Sequence, residues 1–269
     1  MNISSTKDIS HSKITPSITG LVLTYNGERL LEHCLASLQF CSHILVIDSF
    51  SSDRTIEISK AHNVQFIQHE WNGPVAQFTY AFSLIETEWI ITIDQDEICS
   101  PTLQHTIITA IQNVSQNVCG FYVPRRSWYY DRFLKYSGWY PDYLLRVFRK
   151  NGIYFSQQGV HEKIHPHTHT QKLIGDILHY PYSSFYQHLE KINSYAQYGA
   201  EDLAKQKKSG GICIAISHGL GRFIRIYILK KGFLDGKAGF INAIHGAYYA
   251  FLKYIRINEG TWGAPYNHQ

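Results

Sequence analysis

The sequence predicts an α/β protein: a mostly parallel sheet with helices on both faces, plus a C-terminal helical extension. Three features carry this. Short β-rich runs alternate with helical patterns through the first half, those runs are continuously apolar, and the pattern turns helical beyond Tyr182. Ile18–Thr24 (ITGLVLT) reads as a buried strand and Arg29–Leu38 as a helix, with Leu30, Leu31, Leu35 and Leu38 at helical spacing. His43–Asp48 is a second strand, after which Asp53 in SSDRT caps a helix to Ala61. Val64–Gln68 and Trp89–Ile93 are strands separated by a helix over Pro74–Ile85; a helix over Pro101–Val114 leads to the strand Val118–Val123. From Pro124 to about His179 the chain reads as loop-rich, with one strand at Tyr143–Arg149. Near the end, Phe240, Ile244, Tyr248, Phe251 and Ile255 share one helical face, while Asn242, His245, Lys253 and Arg256 lie on another.

At 269 residues, 44% hydrophobic and 17% charged, the chain can bury a sizeable core, and it is not disordered in composition. Residues 1–180 are expected to form the sheet-bearing domain and 181–269 a basic helical region. Five cysteines, odd in number and without a CxxC pair, fit a reducing compartment with free thiols. The first 17 residues are polar and lack the apolar core of a secretory signal. No uninterrupted apolar run of some 18 residues suggests a spanning helix. The expectation is a cytoplasmic protein. The net charge of +4 is unevenly placed. Leu203–Asn258 holds ten Lys or Arg against one acid, Asp235, for a local +9, which leaves −5 elsewhere.

In parallel α/β sheets ligands sit beyond the carboxyl ends of the strands, so the polar residues there are the candidates. Asp94-Gln95-Asp96-Glu97 follows the strand WIITI directly. Three acids so close repel one another unless a cation or donors compensate, and Mg2+ or Mn2+ bridging carboxylate and diphosphate oxygens is a natural partner. A helix N-terminus, with Pro101 opening the next helix, is the plainer explanation. Asp48 can accept from a nucleobase or ribose, or cap its own turn. Asp142, in GWYPD with Arg146 and Arg149 following, can act as a general base or form a structural bridge to an arginine. The two arginines suit phosphate charge. His161 opens a run with His165, His167 and His169; the last three read as a solvated loop. HExxH, Gly-x-Ser-x-Gly, a P-loop and GxGxxG are all missing, which argues against a zinc peptidase, a serine hydrolase, a P-loop ATPase and a dinucleotide enzyme.

Taken in order, LTYNGERLLEHCLASL, ILVIDSFSSDRTIEIS, the Ala-Gln of VAQFTYAFS, WIITIDQDEICSP, FYVPRR, GWYPDYLLRVFR, GVHEKI and GFLDGKAGF…AYYAFLKY resemble the family-2 glycosyltransferases of the GT-A fold. The likeness is to the branch that glucosylates the lipopolysaccharide inner core, and it covers Ile18 to Glu259. The resemblance implies a Rossmann-like nucleotide-sugar-binding and catalytic domain over 1–180. It implies that Thr24, Tyr25 and Asp48 hold the uridine of a UDP-sugar, Asp94 its ribose and sugar, and Gln77 some further part of the donor. Asp96 would ligate the metal, with His161 as an additional ligand, and Asp142 would be the base. The reaction implied is inverting transfer of a hexose, glucose from UDP-glucose, onto a heptose of a lipid-linked oligosaccharide. Three departures from the family pattern stand out: Gly27 where Glu is frequent, DQDE in place of DADE, read as a change at a non-ligating position, and FTYAFS in place of KNFALS, which loses a Lys and an Asn suited to phosphate.

The basic tail, rich in Phe, Ile and Tyr, suits peripheral association with the anionic surface of the inner membrane, and nothing resembles a nucleic-acid motif. Two rivals stand beside this reading. One is a metal-dependent sugar nucleotidyltransferase, which would need a glycine-rich basic loop that TYNGER does not supply; the other is a non-catalytic membrane-associated adaptor.

Overall fold

The computed structural model describes residues 17–156 and 163–261. In chain order its elements are β1 (Ile18–Thr24), α1 (Leu31–Ser37), β2 (His43–Asp48), α2 (Thr55–Ala61), β3 (Gln65–Gln68), α3 (Pro74–Leu84), β4 (Trp89–Asp94) and β5 (Glu97–Cys99). Then come α4 (Pro101–Asn113), β6 (Val118–Tyr129), β7 (Arg132–Phe133), β8 (Asp142–Arg149), β9 (Ile153–Ser156), β10 (Lys163–Pro166), β11 (His169–Lys172) and β12 (Ile177–His179). Three long helices close the described chain: α5 (Phe185–Lys205), α6 (Ile212–Ile224) and α7 (Gly236–Ile255). A π-helical turn, Arg225–Leu229, and a 3-10 turn, Gly232–Asp235, join the last two.

The apolar strands and the helices between them fall where the sequence puts them. The segment from Pro124 to His179 does not: it carries the second half of β6 and several short strands. The short strands are hard to read because each is only two to four residues long, too short to set up an apolar period. β11 is HTQK, without one apolar residue, yet it runs parallel to the start of β6. α1 starts at Leu31, two residues later than the apolar spacing suggests, because the Gly27 carbonyl accepts from both Leu30 N and Leu31 N in a preceding turn.

The chain divides into two compact units, and the division does not fall at residue 180. Of the described residues, one unit is drawn from 17–95, 101–122, 145–156 and 163–175, the other from 96–100, 123–144 and 176–261. In the first, β3, β2, β1 and β4 lie side by side in parallel, and β8 pairs antiparallel with β4 through Trp89, Ile90 and Ile91. One face of this sheet presents Leu21, Leu45, Ile47 and Ile90 to Ala81 and Ile85 of the α3 segment. On the other face, Gly20 leaves room for Leu38 and Cys41 behind α1. With helices on both faces, the strands must be apolar throughout, which is why they read as unbroken hydrophobic runs.

In the second unit β12 runs parallel to β6 and antiparallel to β5. Ser184 caps α5 by accepting from Gln187 N, and Gln187 Oε1 in return accepts from Ser183 N. α6 and α7 pack through small residues. Gly219 lies against the Ala247 carbonyl, and an added Cβ at Gly246 would strike Ile226. The buried side of α7 is Ala238, Gly239, Asn242, Ala243 and Ala250, whereas Phe240, Ile244 and Tyr248 are exposed. The helix thus turns its large apolar residues outward.

The Asp235 carboxylate accepts from Lys135 N, Tyr136 N and the Ser137 hydroxyl, all at 3.0 Å, and so fixes the 135–138 segment to the start of α7. Nearby, Tyr129 Oη lies 3.3 Å from His188 Nδ1 and 2.7 Å from His245 Nδ1. Burial, the neighbouring His245 and Lys191 together push His188 from its ordinary 6.5 down to about 4. The unfolded chain therefore binds more protons than the folded one as pH falls below 6.5, so stability is full above that pH and is lost between about 6.5 and 4. Thermal unfolding followed from pH 7.5 to 4.5 should show Tm falling through this window, with a shallower fall in His188→Gln.

Candidate functional site

In the first unit a cavity of about 600 Å³ opens at the carboxyl ends of β1, β2 and β4. Leu23, Thr24, Tyr25, Ser49, Trp71, Phe78, Asp94 and Gln95 are among the residues around it. This is the strand-end position that parallel sheets use for ligands, and the size is that of a small-molecule site. Tyr25 and Trp71 are more than half exposed and offer flat faces for a base or a sugar.

Gln95 organises the mouth of this cavity. Its Oε1 accepts from the Thr24 hydroxyl (2.5 Å) and from Tyr25 N (2.9 Å), and its Nε2 donates to the Tyr25 carbonyl (3.0 Å). An alanine could make none of these bonds. Gly27 belongs to the same arrangement: a Cβ there would come within 2.6 Å of Thr24 Oγ1 and 2.7 Å of Gln95 Oε1. The residue read from the sequence as non-ligating therefore holds the β1 loop, and the neighbouring glycine makes space for it.

Of the expected donor residues, Thr24, Tyr25 and Asp94 border the cavity. Asp94 is half exposed, and Arg146 of β8 donates to its two oxygens at 2.8 and 3.4 Å. Asp48 and Gln77 sit deeper and are fully buried. The Asp48 carboxylate accepts from Ser51 N (2.9 Å), from the Ser51 hydroxyl and from Gln68 Nε2 (3.0 Å); this is the turn-organising role. Gln77 accepts from His69 Nδ1 (2.6 Å) and donates to the Ser49 hydroxyl and the His69 carbonyl, both at 3.1 Å. Arg149 is at the other end of the strands, stacked on Trp89 and paired with Glu88, and so is not placed to meet a phosphate at the cavity.

The second unit has a cavity of about 340 Å³ bordered by Arg125, Ser127, Gly138, Trp139, Asp142, His179 and Tyr182. Asp142, at the start of β8, accepts from Arg125 Nε (3.1 Å) and Nη2 (2.7 Å) through Oδ2. The arginine partner thus comes from β6, not from Arg146 or Arg149. Both bonds fall on one oxygen, which leaves Oδ1 directed by the pair for a further donor. Arg125 Nη1 also reaches the buried Glu97, at 3.4 Å. His179, which no sequence pattern singled out, has its Nδ1 3.0 Å from the Ser127 hydroxyl and its Nε2 3.7 Å from Asp96 Oδ2. Burial, with Tyr195 adding to it and Arg125 opposing, pushes the Tyr182 phenol up to about 12.

Two of the acids after β4 are thus paired with arginines, Asp94 with Arg146 and Glu97 with Arg125, while His179 stands 3.7 Å from Asp96 and forms an ion pair with it only when its ring is protonated. Among the described residues no three His, Cys, Asp or Glu side chains gather as a metal cage. His161 lies outside the described residues. Mg2+ needs only one or two carboxylates when phosphate oxygens and water complete its shell, and the Asp96 side chain is 26% exposed.

The model of glycosyl transferase family 2 matches residues 21–171, more than half of the sequence, and the chain belongs to that family. The lipopolysaccharide core biosynthesis glycosyltransferase LpsC of Rhizobium meliloti is 27% identical over 90% of this chain and 92% of its own. An uncharacterized glycosyltransferase of Rickettsia typhi is 25% identical over 90% of this chain and 87% of its own. A glucosyl-3-phosphoglycerate synthase structure from Mycobacterium tuberculosis, with Mn2+, UDP and glucosyl-3-phosphoglycerate, overlaps 43% of this chain and 44% of its own at 16% identity; its TM-score of 0.35 is too low to align site residues.

Replacing Gln95 by Ala should cost about 1–2 kcal/mol of stability in denaturant unfolding, from the hydrogen bonds lost at a partly exposed loop. Gly27→Ala should be destabilising alone and less so in the Gln95→Ala background, with a coupling of roughly 0.5 kcal/mol or more. Strict additivity would show that the two residues act separately.

Proposed function

We propose that this protein is an inverting hexosyltransferase that moves glucose from UDP-glucose onto a heptose of a lipid-linked lipopolysaccharide core, at the cytoplasmic face of the inner membrane. The observation that carries the proposal is Asp142 on the wall of a cavity, its carboxylate oriented through one oxygen by Arg125. Family membership supports glycosyl transfer as the reaction class, and the likeness to LpsC supports a place in lipopolysaccharide core biosynthesis.

In this reading the nucleotide sugar binds at the cavity beyond β1 and β4, with a ring stacked on Tyr25 or Trp71. Asp94 accepts from hydroxyls of the donor while Arg146 holds its carboxylate in place. Thr24 and the Tyr25 backbone stay ordered through Gln95, and Asp48 and Gln77 support the loops from behind. Asp96 would hold Mg2+ or Mn2+ together with the diphosphate and water, His161 being a further candidate ligand. The metal when bound supplies positive charge against the departing UDP. Asp142 takes the proton of the acceptor hydroxyl as that oxygen attacks the anomeric carbon from the side opposite UDP, which inverts the configuration. Trp139 and Tyr182 offer the aromatic faces that a sugar acceptor uses.

The test is incubation with UDP-glucose, Mn2+ or Mg2+ and a truncated core oligosaccharide, with product mass and released nucleotide as readouts. A hexose-sized mass gain and free UDP are expected; pyrophosphate release in place of UDP, or an unmodified acceptor across a panel of nucleotide sugars, would refute the proposal. Asp142→Asn should lower kcat by about 10²–10⁴-fold with little change in thermal stability. Asp96→Ala should likewise abolish transfer, and weaken UDP binding more in the presence of metal than without it.

A further inference from the structure

The α6–α7 part of the second unit exposes a surface that its own fold leaves uncovered. Along α6 and the π-turn, Ile212, Ile216, Leu220, Ile224 and Ile228 recur every four residues and so form one stripe. On α7, Phe240, Ile244 and Tyr248 do the same, and each of these eight side chains is 45% exposed or more. The two stripes are continuous. Phe223 and Tyr227 both make edge contacts with Phe240, and Tyr227 also meets Phe233, another exposed aromatic. Scattered exposed apolar residues are ordinary, but a patch joined across two helices marks an interaction surface.

Charge decides what that surface meets. Lys207 and Lys208, just ahead of α6 in the chain, Arg225 in the π-turn, and Lys230, Lys231 and Lys237, between the two stripes in the chain, are all exposed. The one acid of this stretch, Asp235, is 3% exposed and taken up by the backbone of 135–136 and the Ser137 hydroxyl. A second copy docking face to face would set like charges against each other, whereas an anionic lipid surface satisfies both the apolar stripe and the basic frame.

The mode of contact follows from the packing. Ile212–Leu229 has 18 residues of mean hydropathy 1.5, and by length and composition it could cross a membrane. Yet it carries Arg222 and Arg225, and its Ala215, Gly219 and Ile226 are buried in the unit, Gly219 and Ile226 against α7. Spanning would strip that packing and take two guanidinium groups into hydrocarbon. Lying in the interface keeps both.

We propose that the exposed apolar face of α6 and α7 seats in the interface of an anionic bilayer and holds the Asp142 cavity at the membrane surface. The link to the cavity is direct. Gly138, on the cavity wall, lies against the Lys230 side chain, and Ser137 N donates to the Lys230 carbonyl at 2.9 Å. A sugar carried on a lipid in that leaflet would thus be presented beside Asp142, a consequence that rests on the glycosyl-transfer reading; the lipid docking itself does not.

The experiment is sedimentation of the full chain with sucrose-loaded vesicles of phosphatidylcholine alone or with 40% phosphatidylglycerol, about the range in which surface charge dominates binding. Binding to the anionic vesicles is expected, and should weaken in 0.5 M salt, where the Debye length shrinks to about 4 Å. Ile216→Ser/Leu220→Ser/Ile224→Ser should bind roughly tenfold or more weakly, and Arg225→Gln/Lys231→Gln roughly fivefold weaker per charge removed. All five positions are exposed, so unchanged Tm should accompany both variants. Equal binding to neutral and anionic vesicles, no binding to either, or a concentration-dependent dimer abolished by the triple serine variant would overturn the proposal. Transfer to a soluble truncated acceptor should survive in both variants, so that failure of docking and failure of the transferase reading give different results.

Discussion

Carboxylates crowded at the end of a buried strand cannot remain without cationic or hydrogen-bonding partners, and the arrangement of this protein's functional residues follows from how that demand is met. β4 ends in Asp94, and Asp96 and Glu97 follow within three residues. Each faces a different element: Asp94 pairs with Arg146 on β8, Glu97 with Arg125 on β6, and Asp96 has the His179 ring of β12 at 3.7 Å. The same Arg125 turns to Asp142. Arginine suits this duty because its planar fork can serve two carboxylates while staying charged. The side chains of this strand end are thus held in place by one another, so little ordering of them would remain to be done on binding any ligand.

The first loop illustrates how two apparently independent changes are one physical unit. Gly27 and Gln95 each depart from the pattern that the family resemblance suggests, and they touch. The glutamine amide replaces contacts that an alanine cannot make, and it occupies the space that a side chain at position 27 would need. The loops after β1 and β2 are knitted further by Asn26 and Ser52, and by Glu28 N donating to Asp53. The cavity mouth is therefore shaped by backbone-directed polar bonds, which define a loop more closely than apolar contacts do.

The helical part follows a different logic. Small residues let α6 and α7 approach closely, and close approach uses the narrow side of each helix. The large apolar residues are then left on the outside. In a protein surrounded only by water such a face would be a liability; beside a lipid surface it is a contact. Burying Asp235 under the 135–138 segment serves both ends: it fixes one wall of the Asp142 cavity and takes the one acid of residues 203–258 off the surface.

What the sequence by itself determined was the framework: the five apolar strands β1 to β4 and the start of β6, the helices between them, and the acids at the strand ends. These are local properties, since continuous apolar runs, helical spacing and strand-end polar residues are all written within a few positions of one another. The tertiary structure decided the rest. Short polar strands such as β11 exist only because a neighbour supplies their hydrogen bonds. Asp142's partner lies 17 residues away and His179's lies 83, so no spacing rule could pair them. Whether Asp48 faced a ligand or its own turn depended on Ser51 and Gln68 closing over it. Which face of α7 was buried depended on how closely a second helix could approach, because periodicity records that a helix has two faces and packing alone selects the one turned inward.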